Sequence, residues 1–161
     1  MDTSSLIMGV ILLMLFFTPV LYLIFNQSAT ERKSLKKLKN IESEFKLKLQ
    51  HKELSNSLVL GLDPESKKLV VAEPQKDMEY DIIDLSKVRD CTVSRNYTGG
   101  RSEKEMTTRV GLELLSRNGQ EKITEILFYD EDDEHSYDPE NKLFLAKKWD
   151  SLIREHIPKT N

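Results

Sequence analysis

Ser57-Leu58-Val59-Leu60-Gly61-Leu62 runs into Asp63-Pro64-Glu65-Ser66 and returns as Lys68-Leu69-Val70-Val71-Ala72. Two short apolar runs rich in Val and Leu, joined by turn residues, read as a pair of antiparallel strands. Asp63-Pro64-Glu65-Ser66 suits a type I turn, because Pro64 at its second position has the required φ built in. The chain around this pair is therefore expected to be β-rich.

Toward the carboxyl end the same texture continues. Residues 73–79 form a polar loop broken by Pro74, and residues 80–85 and 88–97 read as two more strands. Residues 97–103 are a loop. Residues 108–115 alternate, with Val110, Leu112 and Leu114 on one face and Arg109, Gly111, Glu113 and Leu115 on the other. Asn118-Gly119 is the strongest hairpin signal in the chain, since both positions tolerate the positive φ of a type I′ turn. Residues 122–129 return, with Ile123, Ile126 or Glu125, and Phe128 as inward candidates. An acidic loop follows, and then Asp138-Pro139 opens a helix, with Asp138 as cap and Pro139 in the first turn. Leu143, Ala146 or Lys147, Trp149 or Asp150, Ile153 and Ile157 continue it, Leu145, Leu152 and Trp149 widen its apolar face, and Pro158 ends it.

Toward the amino end, residues 29–52 read as a helix. Leu35, Leu38, Ile41 or Glu42, Phe45 and Leu49 recur at steps of three and four. That stripe fits a short coiled coil, a helix lying on a membrane surface, or packing on the following domain. Residues 45–49 also alternate with period two, so the end of this segment reads equally as a strand. Before it, Leu6 to Phe25 is a run of twenty residues without a charge, fourteen of them Leu, Ile, Val or Phe. A helix of that length spans about 30 Å, the thickness of a bilayer's hydrocarbon core. The leader before it has no basic residue and the run exceeds a secretory signal's apolar stretch, so an uncleaved transmembrane anchor bounded by Leu6 and Phe25 is expected. Arg32, Lys33, Lys36, Lys37 and Lys39 follow on one side only. The positive-inside rule then places the amino terminus outside and the remaining chain in the cytoplasm of a cell membrane. The lone Cys91 agrees with a reducing compartment.

Charge is segregated. The chain carries −3 overall, but residues 31–53 hold eight Lys/Arg against four Glu, and residues 130–140 hold seven Asp/Glu and no base. A basic stretch beside a bilayer is attracted to anionic lipid, which makes Arg32, Lys33, Lys36, Lys37 and Lys39 candidates for membrane-surface contact. The chain is not basic enough to suggest nucleic acid, and it has no base-stacking motif. Three segments result: a tail and anchor over 1–28, a basic helix or linker over 29–53, and a folded domain over 54–161. The expected class is α+β. A transmembrane helix and a juxtamembrane helix precede a bent antiparallel sheet of about six or seven strands, a partly open barrel capped by the last helix.

Three stretches look like bacterial membrane-anchored pleckstrin-homology-like proteins. They are Gly61-Leu62-Asp63 with Lys67-Lys68-Leu69, Ile82-Ile83-Asp84-Leu85-Ser86-Lys87-Val88, and the helix with Ala146-Lys147-Lys148-Trp149. The resemblance covers roughly residues 57–157. It implies a strongly bent sheet plugged by a carboxyl-terminal helix. The loop that is basic in lipid-binding members is here Asp63-Pro64-Glu65-Ser66-Lys67-Lys68, with two acids beside two bases.

No catalytic set is visible. His51, His135 and His156 sit in separate segments without a neighbouring nucleophile, Cys91 reads as a core residue, and Thr98-Gly99-Gly100-Arg101 lacks the spacing of a phosphate loop. The acidic loop fails the EF-hand template, because His135 falls where Gly is needed and Asn141 where Glu is needed. No metal, cofactor or enzymatic activity is expected. Two functions fit: a tethered module whose sheet edge or loops recruit a protein partner, or an envelope component whose segment 32–52 reads anionic lipid.

Overall fold

Gly61 has no room for a side chain: a Cβ there would lie 2.6 Å from Leu49. That contact shows how the amino-terminal part is built onto the domain. In the computed structural model, which describes residues 3–55, 57–76, 79–98, 106–117, 122–133 and 136–158 (side chains of 3–6 and 19–31 excluded), the chain begins with one helix, α1, Thr3–Glu44. It ends where Lys46 adopts a left-handed conformation (φ 54°) and the Leu47 N–H donates back to the Glu42 carbonyl, the bond that closes a Schellman motif. The helix thus stops eight residues short of the expected end at 52, and residues 51–54 become a strand instead.

Seven strands follow. β1 (His51–Leu54), β2 (Val59–Asp63), β3 (Lys68–Glu73) and β4 (Glu79–Asp84) form one antiparallel sheet in that order. β5 (Val88–Thr98), β6 (Met106–Ser116) and β7 (Lys122–Asp130) form a second. Helix α2, Pro139–His156, closes the chain. The Asn118-Gly119 turn lies outside the described residues.

The expected sheet wrapped toward a barrel is corrected: the strands divide into separate sheets of four and three, with no closed barrel among the described residues. The break has a local cause. After β4 a single 3-10 turn, Leu85–Lys87, redirects the backbone. The Asp84 side chain accepts from the Ser86 N–H (3.1 Å) and the Ser86 hydroxyl (2.6 Å), and this fixes the turn. The first ladder ends at Lys68↔Asp84 and the second starts at Val88↔Ser116.

The transmembrane anchor between Leu6 and Phe25 is also corrected. Among the described residues no helix is long and apolar enough to cross a membrane. The single-pass topology, the integral membrane partner and the cell-membrane location with a cytoplasmic domain lose their basis with it. Ten large apolar side chains between Ile7 and Phe17 are exposed.

Alternation distributes the core over two faces of the first sheet. Leu60, Leu62 and Leu69 point into the main core with Ile83, Val88, Val110, Leu112, Leu114, Ile126 and Phe128. Val59, Val70 and Ala72 point the other way, into a second core with Leu38, Ile41 and Leu49. All five β2 residues are therefore buried, which explains a strand that reads as a continuous apolar run. The last turns of α1 thus pack on the sheet. The buried face is Ser34, Leu38 and Ile41, while Leu35 and Phe45 of the sequence stripe are exposed. Asp63 locks this corner. Its carboxylate accepts from the N–H groups of Lys48 (2.8 Å), Glu65 (2.9 Å) and Ser66 (3.1 Å). Burial works to raise its pKa, but those backbone bonds outweigh it and hold the carboxyl below the ordinary range.

Helix α2 covers the open side of the main core with Leu143, Ala146, Trp149, Ile153 and Ile157. Asp138, itself left-handed, caps it through the Asn141 N–H at 3.1 Å, and Pro139 stands in its first turn.

Candidate functional site

Residues with catalytic potential are dispersed. His51 lies in exposed β1, the His156 ring nitrogen bonds the Leu152 carbonyl at the end of α2, and His135 is outside the described residues. Cys91 is buried, and burial, with Asp150 beside it, pushes its thiol well above the ordinary value, which suppresses the thiolate. Among the described residues no three His, Cys, Asp or Glu side chains are grouped to hold a metal. Arg32, Lys33, Lys36 and Lys39 stand exposed on α1 and Lys37 is half-buried there. The side chains of Leu6 and Phe25 lie outside the described residues.

The four terminal strands of the two sheets differ in their surroundings. β1 is tied to both helices, through Lys52–Glu42 (2.9 Å) to α1 and Lys148–Glu53 (3.0 Å) to α2. β5 is tied to α2. Arg154 bridges Asp90 (2.7 Å), Asp150 (3.0 Å) and the Cys91 carbonyl, and Arg95 reaches Glu140 (2.5 Å) while resting over the Tyr97 ring. β7, in contrast, has no strand on its far side among the described residues, and open space runs along it.

That space comprises two cavities, which together are called the groove. The upper part, about 130 Å³, is lined by six consecutive β7 residues, 125–130. Six in a row means the cavity follows the edge of the strand, since one face presents only alternate residues. Its opposite wall is Ser57, Leu58, Val71, Glu73 and Lys76, from the start of β2 and the end of β3. The lower part, about 360 Å³, continues along Ile123 and Thr124 of β7 and faces four consecutive residues of β4, Asp81 to Asp84, with Lys87. Between them the two cavities border β7 residues 123–130.

Its polar groups are distinctive. The Ser57 hydroxyl is buried in the wall without a hydrogen-bond partner among the described residues. Glu125 is held by Lys122 (2.8 Å) and Arg109 (3.2 Å), and Glu73 by Lys76 (2.8 Å). The Ser86 hydroxyl bond to Asp84, together with Lys68 at 3.1 Å, brings its carboxyl down to about 2. At the upper end the Asp130 N–H donates to the Ser136 hydroxyl (3.2 Å), which caps the strand edge there. The Glu125 side chain lies over Gly111 of the neighbouring strand β6, where a Cβ would come within 2.5 Å of its carboxylate.

Sequence patterning marks β7 as a strand, yet it carries no signal that β7 is a terminal one or that β4 lies across from it. Strand order in space is set by packing between segments far apart in the chain. The chain has no match among protein-family models, curated proteins or solved structures.

Proposed function

We propose that the chain is a non-catalytic binding module, and that it recruits a protein partner through the edge of β7. The groove running along residues 123–130 carries this reading. A strand edge presents a row of backbone donors and acceptors, and an extended peptide satisfies them by adding a strand. Most exposed edges are blunted by charge, bulges or covering elements. Here β1 and β5 are tied to helices, while β7, whose ladder with β6 has two register irregularities, borders open space along its far edge. The Ser57 hydroxyl in the opposite wall is a spare partner for a backbone group of the incoming segment.

Panning a displayed library of random peptides against the full-length chain tests this, with amide hydrogen exchange to locate the selected peptide. Slowed exchange within residues 122–130 is expected. An empty selection, or protection confined to α1 or to the outer face of α2, overturns the reading.

A further inference from the structure

We infer that the occupant of the β7 groove is a basic extended segment of about eight residues, carrying Lys or Arg at alternate positions. The inference rests on strand capture at β7 and adds the partner's chemistry. The upper part is lined by four acids, Glu73, Glu125, Asp130 and Asp133, against one base, Lys76. The lower part has Asp81 and Asp84 against Lys87. Exposed Glu79, Glu131 and Asp132 extend the negative field past the upper end. Bases already neutralise part of this charge, Lys76 at Glu73, Lys122 and Arg109 at Glu125, and Lys68 at Asp84, and an incoming ammonium or guanidinium would join the same carboxylates.

A strand lying in the groove directs successive side chains to opposite sides, so residues two apart face the same wall. Basic side chains two apart thus line up on one side of the occupant, where they can pair with the carboxylates that line the groove. The same field decides against a second copy of this chain. Pairing β7 with another β7 would place these acids against themselves, and like charges face to face in an interface are strongly disfavoured.

Three fluorescent eight-residue peptides test the inference on the full-length chain by anisotropy and amide exchange: one alternating Thr and Lys, one Thr and Glu, one Thr and Ser. The Thr-Lys peptide is expected to bind about tenfold more tightly than the Thr-Ser peptide at low salt, with the gap shrinking as salt rises. It should slow exchange within residues 122–130. Glu73→Lys, on the exposed end of β3, should weaken it by about threefold, and Lys76→Glu should strengthen it by a similar factor. Equal binding of the Thr-Lys and Thr-Ser peptides with protection of β7 would overturn the charge inference and leave strand capture standing. Thr-Lys binding that leaves β7 unprotected, or that is indifferent to Glu73→Lys, overturns the assignment of basic residues to this groove. Absence of binding by all three overturns it together with strand capture.

Discussion

Trp149 is 1% exposed and lies at the centre of the face that α2 turns to the main core. Truncating a buried aromatic typically costs about 3–5 kcal/mol, against a total stability of about 5–15 kcal/mol for a domain of this kind. Trp149→Ala should therefore unfold the domain or lower its urea midpoint severely. The indole N–H has no partner among the described residues, so the contribution is packing. Trp149→Phe should accordingly retain a cooperative transition with a far smaller loss. As the only tryptophan, its emission reports directly: a blue-shifted maximum resistant to iodide is expected, and a red, fully quenched one would place the ring in water. Two carboxylates set the acid limit of the fold. Asp63 and Asp84 both lie below their unfolded value of 3.8, Asp84 at about 2. Folding thus disfavours their protonation, and the unfolded chain binds more protons as pH falls. Their stabilisation is full above pH 4 and drains as pH drops toward 2. In urea melts, Asp84→Asn should be clearly less stable than the parent at pH 6, with the difference narrowing toward pH 2. A difference independent of pH would remove the carboxylate from the account.

At the scale of elements, α2 is held on β5 by the Arg154 clasp as well as by its apolar face. Arg154→Ala leaves the Cys91 carbonyl and two carboxylates without their donor, and should cost about 1–2 kcal/mol by chemical denaturation. Lys148→Ala removes one half-exposed ion pair with Glu53 and should stay within about 0.5 kcal/mol. Equal effects would mean that only burial docks the helix. The elements whose signal is local were legible. Asp138-Pro139 announces α2, and the 108–115 alternation places Val110, Leu112 and Leu114 inside, where all three are fully buried. The end of α1 was not, because it is made by Lys46 in a left-handed conformation, a place where glycine is the usual signal. Of the apolar stripe, Leu38, Ile41 and Leu49 are buried while Leu35 and Phe45 are exposed; the helix buries Ser34 in place of Leu35, and a periodicity of apolar residues passes over a serine. The groove was illegible for a different reason: its walls come from β2, β3, β4 and β7, and only the packing of two sheets brings them together.

At the scale of the molecule, charge and periodicity draw the folded unit at residue 54, while the physical contacts reach back to Ser34. Leu38, Ile41 and Leu49 cover Val59, Val70 and Ala72 on the outer face of the first sheet. Burying one such aliphatic side chain is worth about 1.5–3 kcal/mol, so three amount to roughly 5 kcal/mol or more, comparable with the whole stability of a small domain. The Lys48 N–H bond to Asp63 and the β1 ladder hold the same region in register. A chain starting at residue 54 would lose the helix cover and most of β1, and would expose an apolar sheet face beside an open edge, a combination that favours association. A chain starting at residue 32 keeps all of these contacts. The 32–161 fragment should show one cooperative urea transition and remain monomeric in light scattering. The 54–161 fragment should unfold at much lower urea or self-associate. Coincident midpoints for the two fragments would show that α1 contributes nothing to the fold and that the second core is incidental.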